Sequence, residues 1–254
     1  MLKIEKFVTA SPEQWEIIIE GMRNPLNSWD KMDSGIIGMD GDYYLFNGDS
    51  GTYHGDDTGF FLGDNDYSLM TRLDNAGTEH RKFMRMIPVW VTLSAPLYWW
   101  KEADTYKVGT VRNSCSTMHK IQAKEFTLED FSCEHLIKDC VGNNKDSIWY
   151  KDPPENSPIK CQLMFTPLDA LRITIGVLNT NREAYLKTKD KKYWWQMIQL
   201  LPSSYNQKRT IMLNYEVLAN IYKSRKDHKL DEWHVMCDWI EQLPYSELIT
   251  GNEE

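Results

Sequence analysis

The stretch from Trp99 to His119, WWKEADTYKVGTVRNSCSTMH, holds the densest run of polar side chains able to act together. Lys101, Glu102, Asp104, Tyr106, Lys107, Thr110, Arg112, Asn113, Ser114, Cys115, Ser116 and Thr117 follow an apolar, β-branched and aromatic run from Met86 to Trp100. That order predicts a buried strand leading into a polar loop. Charged, amide and hydroxyl groups at the end of such a strand are what a pocket for an anionic, hydrogen-bonding ligand requires. Lys107 suits a phosphate, Asn113 an amide edge, and Thr110 or Cys115 a short donated hydrogen bond. On spacing alone, a solvated connection between core elements is the favoured account of the same residues.

Rigid elements must flank such a loop if it is to hold a ligand. Leu2 to Val8 alternates as a first strand, and Ser11-Pro12-Glu13-Gln14 reads as an N-cap, a proline at the first helical position and a capping-box Gln. Trp15, Ile18, Ile19 and Met22 give that helix an apolar face. From about 24 to 74 the chain is rich in Gly and Asp, with short aromatic runs at Tyr43 to Phe46 and Phe60 to Leu62, and reads as turns and hairpins forming an insertion or lid. Its acidic residues allow no EF-hand loop with a closing Glu. Thr127-Leu128-Glu129-Asp130 predicts a helix running towards Cys140, and Asp152 to Pro158 an exposed linker. Thr166-Pro167-Leu168-Asp169 caps a helix carrying Leu171, Ile175 and Leu178, and a further helix spans roughly Arg182 to Leu200.

Ile211 to Leu213 reads as a short strand, and Tyr215 to Arg225 as a helix burying Leu218, Ile221 and Tyr222. Asn214 then lies at its start and Arg225 at its end, where the helix dipole also favours a cation. Asp227 is the expected cap of the last helix, whose Leu230, Trp233, Met236, Cys237 and Ile240 form one apolar stripe. The pattern is α+β, a mixed sheet with flanking helices, in a single domain over residues 1 to 254.

Composition bounds the function. A net charge of −8 opposes non-specific attraction to nucleic acid. Five cysteines form no CxxC pair, and Cys133 and Cys140, with His135 between them, lack zinc-ligand spacing, so no metal site is expected. Idle thiols and the lack of a leader or a membrane-length apolar run point to a cytoplasmic protein without membrane association. The ten Trp and thirteen Tyr suit core and interface packing.

Lys101-Glu102-(x)3-Thr105-Tyr106-Lys107-(x)2-Thr110-(x)2-Asn113 resembles, in degraded form, the signature segment of flavin-dependent thymidylate synthases. That signature reads Arg-Gln, two apolar residues, then Arg-His-Arg-x-x-Ser-x-Asn-Glu-x-Ser-x-Arg-Tyr. Laid over it without a gap, Lys101 falls on Arg, Glu102 on Gln, Thr105-Tyr106-Lys107 on Arg-His-Arg, Thr110 on Ser and Cys115 on Ser. Thr105 and Thr117 each stand where the family has a charge.

A second segment, Leu201-Pro202 and then Thr210 to Ile221 and Arg225, resembles the family's Leu-Pro, Asn-x-Arg-x-Leu-x-Asn/His-Phe and following Arg. Asn214, Leu218, Asn220 and Arg225 keep identity and spacing, whereas Glu216 replaces a basic residue. Glu79-His80 resembles the family's Glu-His pair, displaced upstream.

The resemblance implies reductive methylation of dUMP to dTMP, with FAD as hydride carrier, NADPH as reductant, methylenetetrahydrofolate as carbon donor, and sites shared between subunits of a homotetramer. It makes Arg225 the catalytic residue on the uracil carbonyl edge. Glu102, Lys107, Thr110, Asn113 and Cys115 become nucleotide-binding, and Glu79, His80, Tyr106, Asn214 and Asn220 flavin-binding. Two other readings stay open: a relative performing another flavin or one-carbon reaction on a pyrimidine nucleotide, and a non-catalytic homologue binding nucleotide or protein.

Overall fold

A computed structural model describes residues 1–38, 43–45, 59–138, 149–151, 155–156 and 163–251. Among these the strands are β1 (Lys3–Val8), β2 (Gly35–Ile37), β3 (Tyr43–Leu45), β4 (Gly59–Phe61), β5 (Pro88–Pro96), β6 (Val111–Ser114), β7 (Trp149–Lys151), β8 (Leu163–Phe165) and β9 (Asn206–Asn214). The helices are α1 (Pro12–Arg23), α2 (Asp64–Asn75), α3 (Leu97–Ala103), α4 (Pro167–Thr188), α5 (Lys191–Leu200), α6 (Tyr215–Arg225), α7 (Asp231–Ile240) and α8 (Glu247–Thr250). The fold is α+β, with one four-stranded sheet in the order β1-β5-β9-β6, a three-stranded antiparallel sheet β3-β2-β4 and a two-stranded antiparallel pair β7-β8. The chain divides into two compact units, one of Met1, Ser94–Glu102 and Ser114–Lys208, the other of Leu2–Leu93, Ala103–Asn113 and Arg209–Glu254.

In the larger unit, α1 starts as its sequence dictates. Ser11 Oγ accepts from Gln14 N, Gln14 Oε1 accepts from Ser11 N, and Pro12 occupies a position needing no N–H. Trp15, Ile18, Ile19 and Met22 are buried. Trp15 stacks on Phe60 of β4 at 4.9 Å and meets Tyr215 and Tyr245 edge-on, so the Gly/Asp-rich region is anchored to the core by its aromatic run. That region also contains α2, which the dense Asp and Gly pattern concealed; Asp33 caps it, its carboxylate accepting from Asn65 N and Asp66 N. Most of the acidic run considered for calcium, and Cys140 and Cys161, lie outside the described residues.

In the smaller unit, Ile121, Phe126, Phe131, Leu171, Leu178 and Met197 form the core between α4, α5 and the segment preceding them. Asn179 ties this segment to α4, its Nδ2 donating to Phe126 O and its Oδ1 accepting from Phe126 N. Trp194 Nε1 donates to Met118 O from α5.

Five expectations are corrected. The strand after Met86 ends at Pro96, and Lys101 and Glu102 lie on α3 rather than in a loop; Trp99 and Trp100 are both buried, which the turn of a helix allows. The helix expected from Thr127 to Cys140 is a single 3₁₀ turn, Leu128–Asp130, because Phe131 instead pairs as an isolated bridge with Tyr205 and packs beside Phe126. The helix expected from Arg182 to Leu200 is broken: α4 runs on to Thr188, Lys189 turns left-handed at φ 58°, and Asp190 caps α5 by accepting from Lys192 N. The strand at Ile211–Leu213 begins earlier, at Asn206, because Gln207 is buried there despite its polarity and donates to Cys115 O. Asp227 is not the cap of the helix expected after it: α7 starts at Asp231 with Leu230 at the N-cap position, and His228 Nδ1 accepts from Leu230 N in the preceding turn.

Candidate active site

The larger unit holds Ala103–Asn113 of the first segment and Arg209–Arg225 of the second, and brings these two stretches into contact. Helix α6 spans Tyr215 to Arg225, with Asn214 as its N-cap; Asn214 Oδ1 accepts from Val217 N at 3.0 Å. Leu218 and Ile221 are buried, fixing the face on which Arg225 emerges one turn later, while Tyr222 is half-buried and donates to Glu241 Oε1.

Residues 104 to 110 form a loop between α3 and β6, and three contacts fasten it. Arg112 reaches back from β6, its Nη2 donating to Ala103 O at 2.8 Å and Tyr106 O at 2.7 Å. Asp104 holds that arginine at 3.5 Å and takes a hydrogen bond from Arg209 Nη1 at 2.8 Å. Burial lowers the Arg112 pKa, the Asp104 carboxylate opposes this, and the neighbouring Arg209 cation adds to it.

Gly109 makes the second contact. It sits at φ 75°, and a Cβ built on it would come within 3.0 Å of Asn214 Nδ2 and 3.1 Å of Val217 Cγ2. Only glycine accepts both the left-handed backbone and so close an approach to the start of α6.

Tyr106 makes the third. Its hydroxyl accepts from Arg225 Nε at 2.9 Å, and the Arg225 guanidinium lies 4.7 Å from the Trp233 ring centroid and 5.7 Å from that of Tyr106. Tyr106 and Trp233 meet edge to face at 6.1 Å. The guanidinium therefore rests against two aromatic rings that meet each other, where cation–π attraction and restricted rotation hold it in a defined direction.

The other expected residues are placed as follows. Lys107 and Val108 form the exposed tip of the loop, Val108 at 91% exposure. Thr110 Oγ1 is buried without a hydrogen-bond partner among the described residues. Asn113 is exposed on β6, Asn220 is exposed on α6, and Glu79 and His80 are exposed in the turn after α2. Glu102 and Cys115 belong to the smaller unit, where Cys115 N donates to Lys208 O.

Gly109, Arg209 and Trp233 also build the site although none belongs to the polar set singled out in the sequence, whereas Asp104 does. Trp233 carried no signal distinguishing it from the apolar stripe, whereas a glycine inside a dense polar run could have been read as a forced turn.

Glu216, standing where the resemblance has a basic residue, is buried and faces Arg81, with Arg81 Nε 2.8 Å from Glu216 Oε2. Arg81 also pairs with Asp74 at 3.0 Å. The position is thus occupied by an internal ion pair. Among the described residues no cluster of His, Cys, Asp and Glu could hold a metal ion, and no described helix is long and apolar enough to cross a membrane.

Solved structures share this arrangement of elements along nearly the whole chain. A flavin-dependent thymidylate synthase, ThyX, from Helicobacter pylori, solved complexed with FAD and dUMP, superposes with a TM-score of 0.53 at 12% identity, covering 98% of this chain and 96% of that one. A second Helicobacter pylori ThyX structure with FAD and dUMP gives 0.54 at the same identity and coverage. The chain has the flavin-dependent thymidylate synthase fold. A UMP/dUMP methylase, PolB, from Streptomyces cacaoi, bound with 5-Br UMP, shares that thymidylate synthase fold at a TM-score of 0.51 and 10% identity, covering 95% of this chain and 87% of that one. No family model matches the sequence, and no curated protein does.

Proposed function

We propose that the junction of the 104–110 loop with α6 binds a pyrimidine nucleotide of the dUMP type, and that the chain modifies its ring with a flavin. The observation carrying this reading is the Tyr106–Arg225 hydrogen bond beside the Gly109–Asn214 contact, which joins the two sequence segments that resemble the synthases. Arg225 is the residue that would face the uracil carbonyl edge. A guanidinium held against Tyr106 and Trp233 would favour negative charge developing on the ring without any enzyme nucleophile.

Lys107, exposed at the loop tip, is the cation available to a phosphate, and the partnerless Thr110 hydroxyl is a group that a ligand oxygen would satisfy. Asn214 and Asn220 are the α6 residues that would meet FAD, which when bound would supply the hydride. In its finest form the reaction is reductive methylation of dUMP to dTMP, with methylenetetrahydrofolate as carbon donor and NADPH as reductant, in a cytoplasmic homotetramer.

The Arg81–Glu216 pair favours a second reading. It neutralises a position that is basic in the synthase pattern, so one cation is missing from the flavin-facing helix. This supports a relative that performs a different reaction on the nucleotide, or one that binds nucleotide without turnover.

The absorbance spectrum of the purified chain, followed by dUMP titration, separates these readings. A flavin band together with thymidine-independent growth of a synthase-deficient host supports the finest form. A flavin band without rescue supports a related reaction, and a colourless protein that still binds dUMP supports binding alone. Arg225→Ala is expected to abolish rescue; rescue left intact would overturn the role given to Arg225.

A further inference from the structure

A cation-lined cavity lies in the larger unit, built from the end of α1, the turns that follow it and the outer face of α2. Its volume is about 450 Å³, within the roughly 300–1,000 Å³ span of small-molecule sites. Arg23, Lys31 and Arg72 supply three cations to its wall, Ser28, Asn65 and Ser68 supply polar groups, and no carboxylate lines it. In a chain of net charge −8, so local a concentration of positive charge selects an anion.

Arg23 makes this a built site rather than a surface patch. It is 3% exposed, and its Nε donates to Asp66 Oδ1 at 2.6 Å. Asp66 is itself pinned by Asp33 N, Ser34 N and Ser34 Oγ. Arg23 Nη1 donates to Ser28 O and Ser28 Oγ, each at 3.3 Å. The remaining nitrogen, Nη2, is buried and has no hydrogen-bond partner among the described residues. A buried guanidinium N–H left unmade is costly, and an oxyanion in the cavity would satisfy it.

Asp66 pairs with Arg23 from behind and Asp33 lies under the start of α2, so Lys31 and Arg72 are the lining cations left to face an anion. The floor is fixed as well. Gly63 N donates to Ser34 Oγ, and a Cβ at Gly63 would lie 2.3 Å from Asp33, so the start of α2 tolerates no side chain there. None of the lining residues belongs to the 104–110 loop or to α6.

We propose that this cavity binds a phosphoryl group, with Arg23 as its buried anchor and Lys31 and Arg72 closing over it. The group arrives either as inorganic phosphate or as the phosphate of a nucleotide. The full chain is titrated with inorganic phosphate and, separately, with dUMP, at constant ionic strength held with chloride, and binding is followed by thermal melting and phosphorus NMR. Saturable stabilisation by phosphate is expected.

The Lys31→Glu/Arg72→Glu variant changes only exposed side chains and should weaken phosphate binding at least about tenfold. Ser68→Trp, which fills the cavity without changing charge, should do the same and decides the matter if the charge-reversed variant does not fold. Arg225→Ala should leave phosphate binding intact. Loss of both phosphate and dUMP in the cavity variants assigns the pocket to the nucleotide's phosphate, and loss of phosphate alone assigns it to a separate phosphorylated ligand. A phosphate response that matches chloride, or that survives unchanged in the cavity variants, overturns the proposal.

Discussion

Replacing Gly109 by alanine probes the contact that joins the loop to α6. Two costs can be worked from its geometry. A non-glycine residue at φ 75° costs roughly 1–2 kcal/mol. The new methyl group, 3.0 Å from Asn214 Nδ2 and 3.1 Å from Val217 Cγ2, must also displace a side chain whose carboxamide oxygen caps α6, and loosening such a cap costs about 1 kcal/mol. Alanine restricts the unfolded chain and returns about 0.5 kcal/mol. The sum is a destabilisation of about 2 kcal/mol, or roughly 4–8 °C in Tm for a chain of this size.

Gly77→Ala is the matched control. Gly77 has φ 97° with nothing within 4 Å of the added Cβ, so it pays the backbone strain alone. Urea unfolding of the two variants should therefore differ by about 1 kcal/mol, Gly109→Ala being the less stable. Equal stabilities, or a more stable Gly109→Ala, would refute the packing of this loop on α6.

Two further perturbations test the surroundings. Arg81→Gln and Glu216→Gln should each destabilise the chain by about 2 kcal/mol, and the double variant by less than their sum, because the second change removes the charge that the first left unpaired; a urea double-mutant cycle with no coupling would exclude a shared ion pair. Burial would raise the Asp130 pKa, but the Lys124 ammonium and the Thr127 backbone and hydroxyl donors outweigh it and hold the carboxyl below its usual 3.8. A folded pKa below the unfolded one stabilises above the unfolded value, and that contribution is lost as pH falls through the folded one. The stability gap between the wild-type chain and Asp130→Asn, about 1 kcal/mol, should hold from pH 5 to 7 and close below about pH 4, and a gap independent of pH would remove Asp130 from that role.

Helix α6 was legible residue for residue because an N-cap Asn, the spacing of Leu218 and Ile221, and a polar stop all agree. The same agreement fixed α1. Elsewhere local chemistry misled: Thr127 and Asp130 do form a capping box, but over one turn, since burying Phe126 and Phe131 outweighs helix propagation. The polar half of β9 hid its alternation, because a buried Gln207 satisfied by a distant carbonyl looks like a surface residue in sequence. At the candidate site, the sequence supplied Arg225, Tyr106 and Asn214. It could not supply the salt bridge of Asp104 to Arg209, whose partners lie more than a hundred positions apart, or the shelf that Trp233 makes for Arg225, since the turn between α6 and α7 that folds Trp233 back has no periodic signal.

Neither compact unit is a continuous piece of chain, for the boundary is crossed at 1/2, 93/94, 102/103, 113/114 and 208/209. A ribosome must therefore finish nearly the whole protein before Leu2–Leu93 can meet Arg209–Glu254, and Trp15 of α1 lacks its Tyr215 and Tyr245 neighbours until then. Closing so long a span slows assembly and leaves the nascent chain prone to clumping. Production of this protein should depend on chaperone supply and low temperature, and neither half should be recoverable by cutting the gene once.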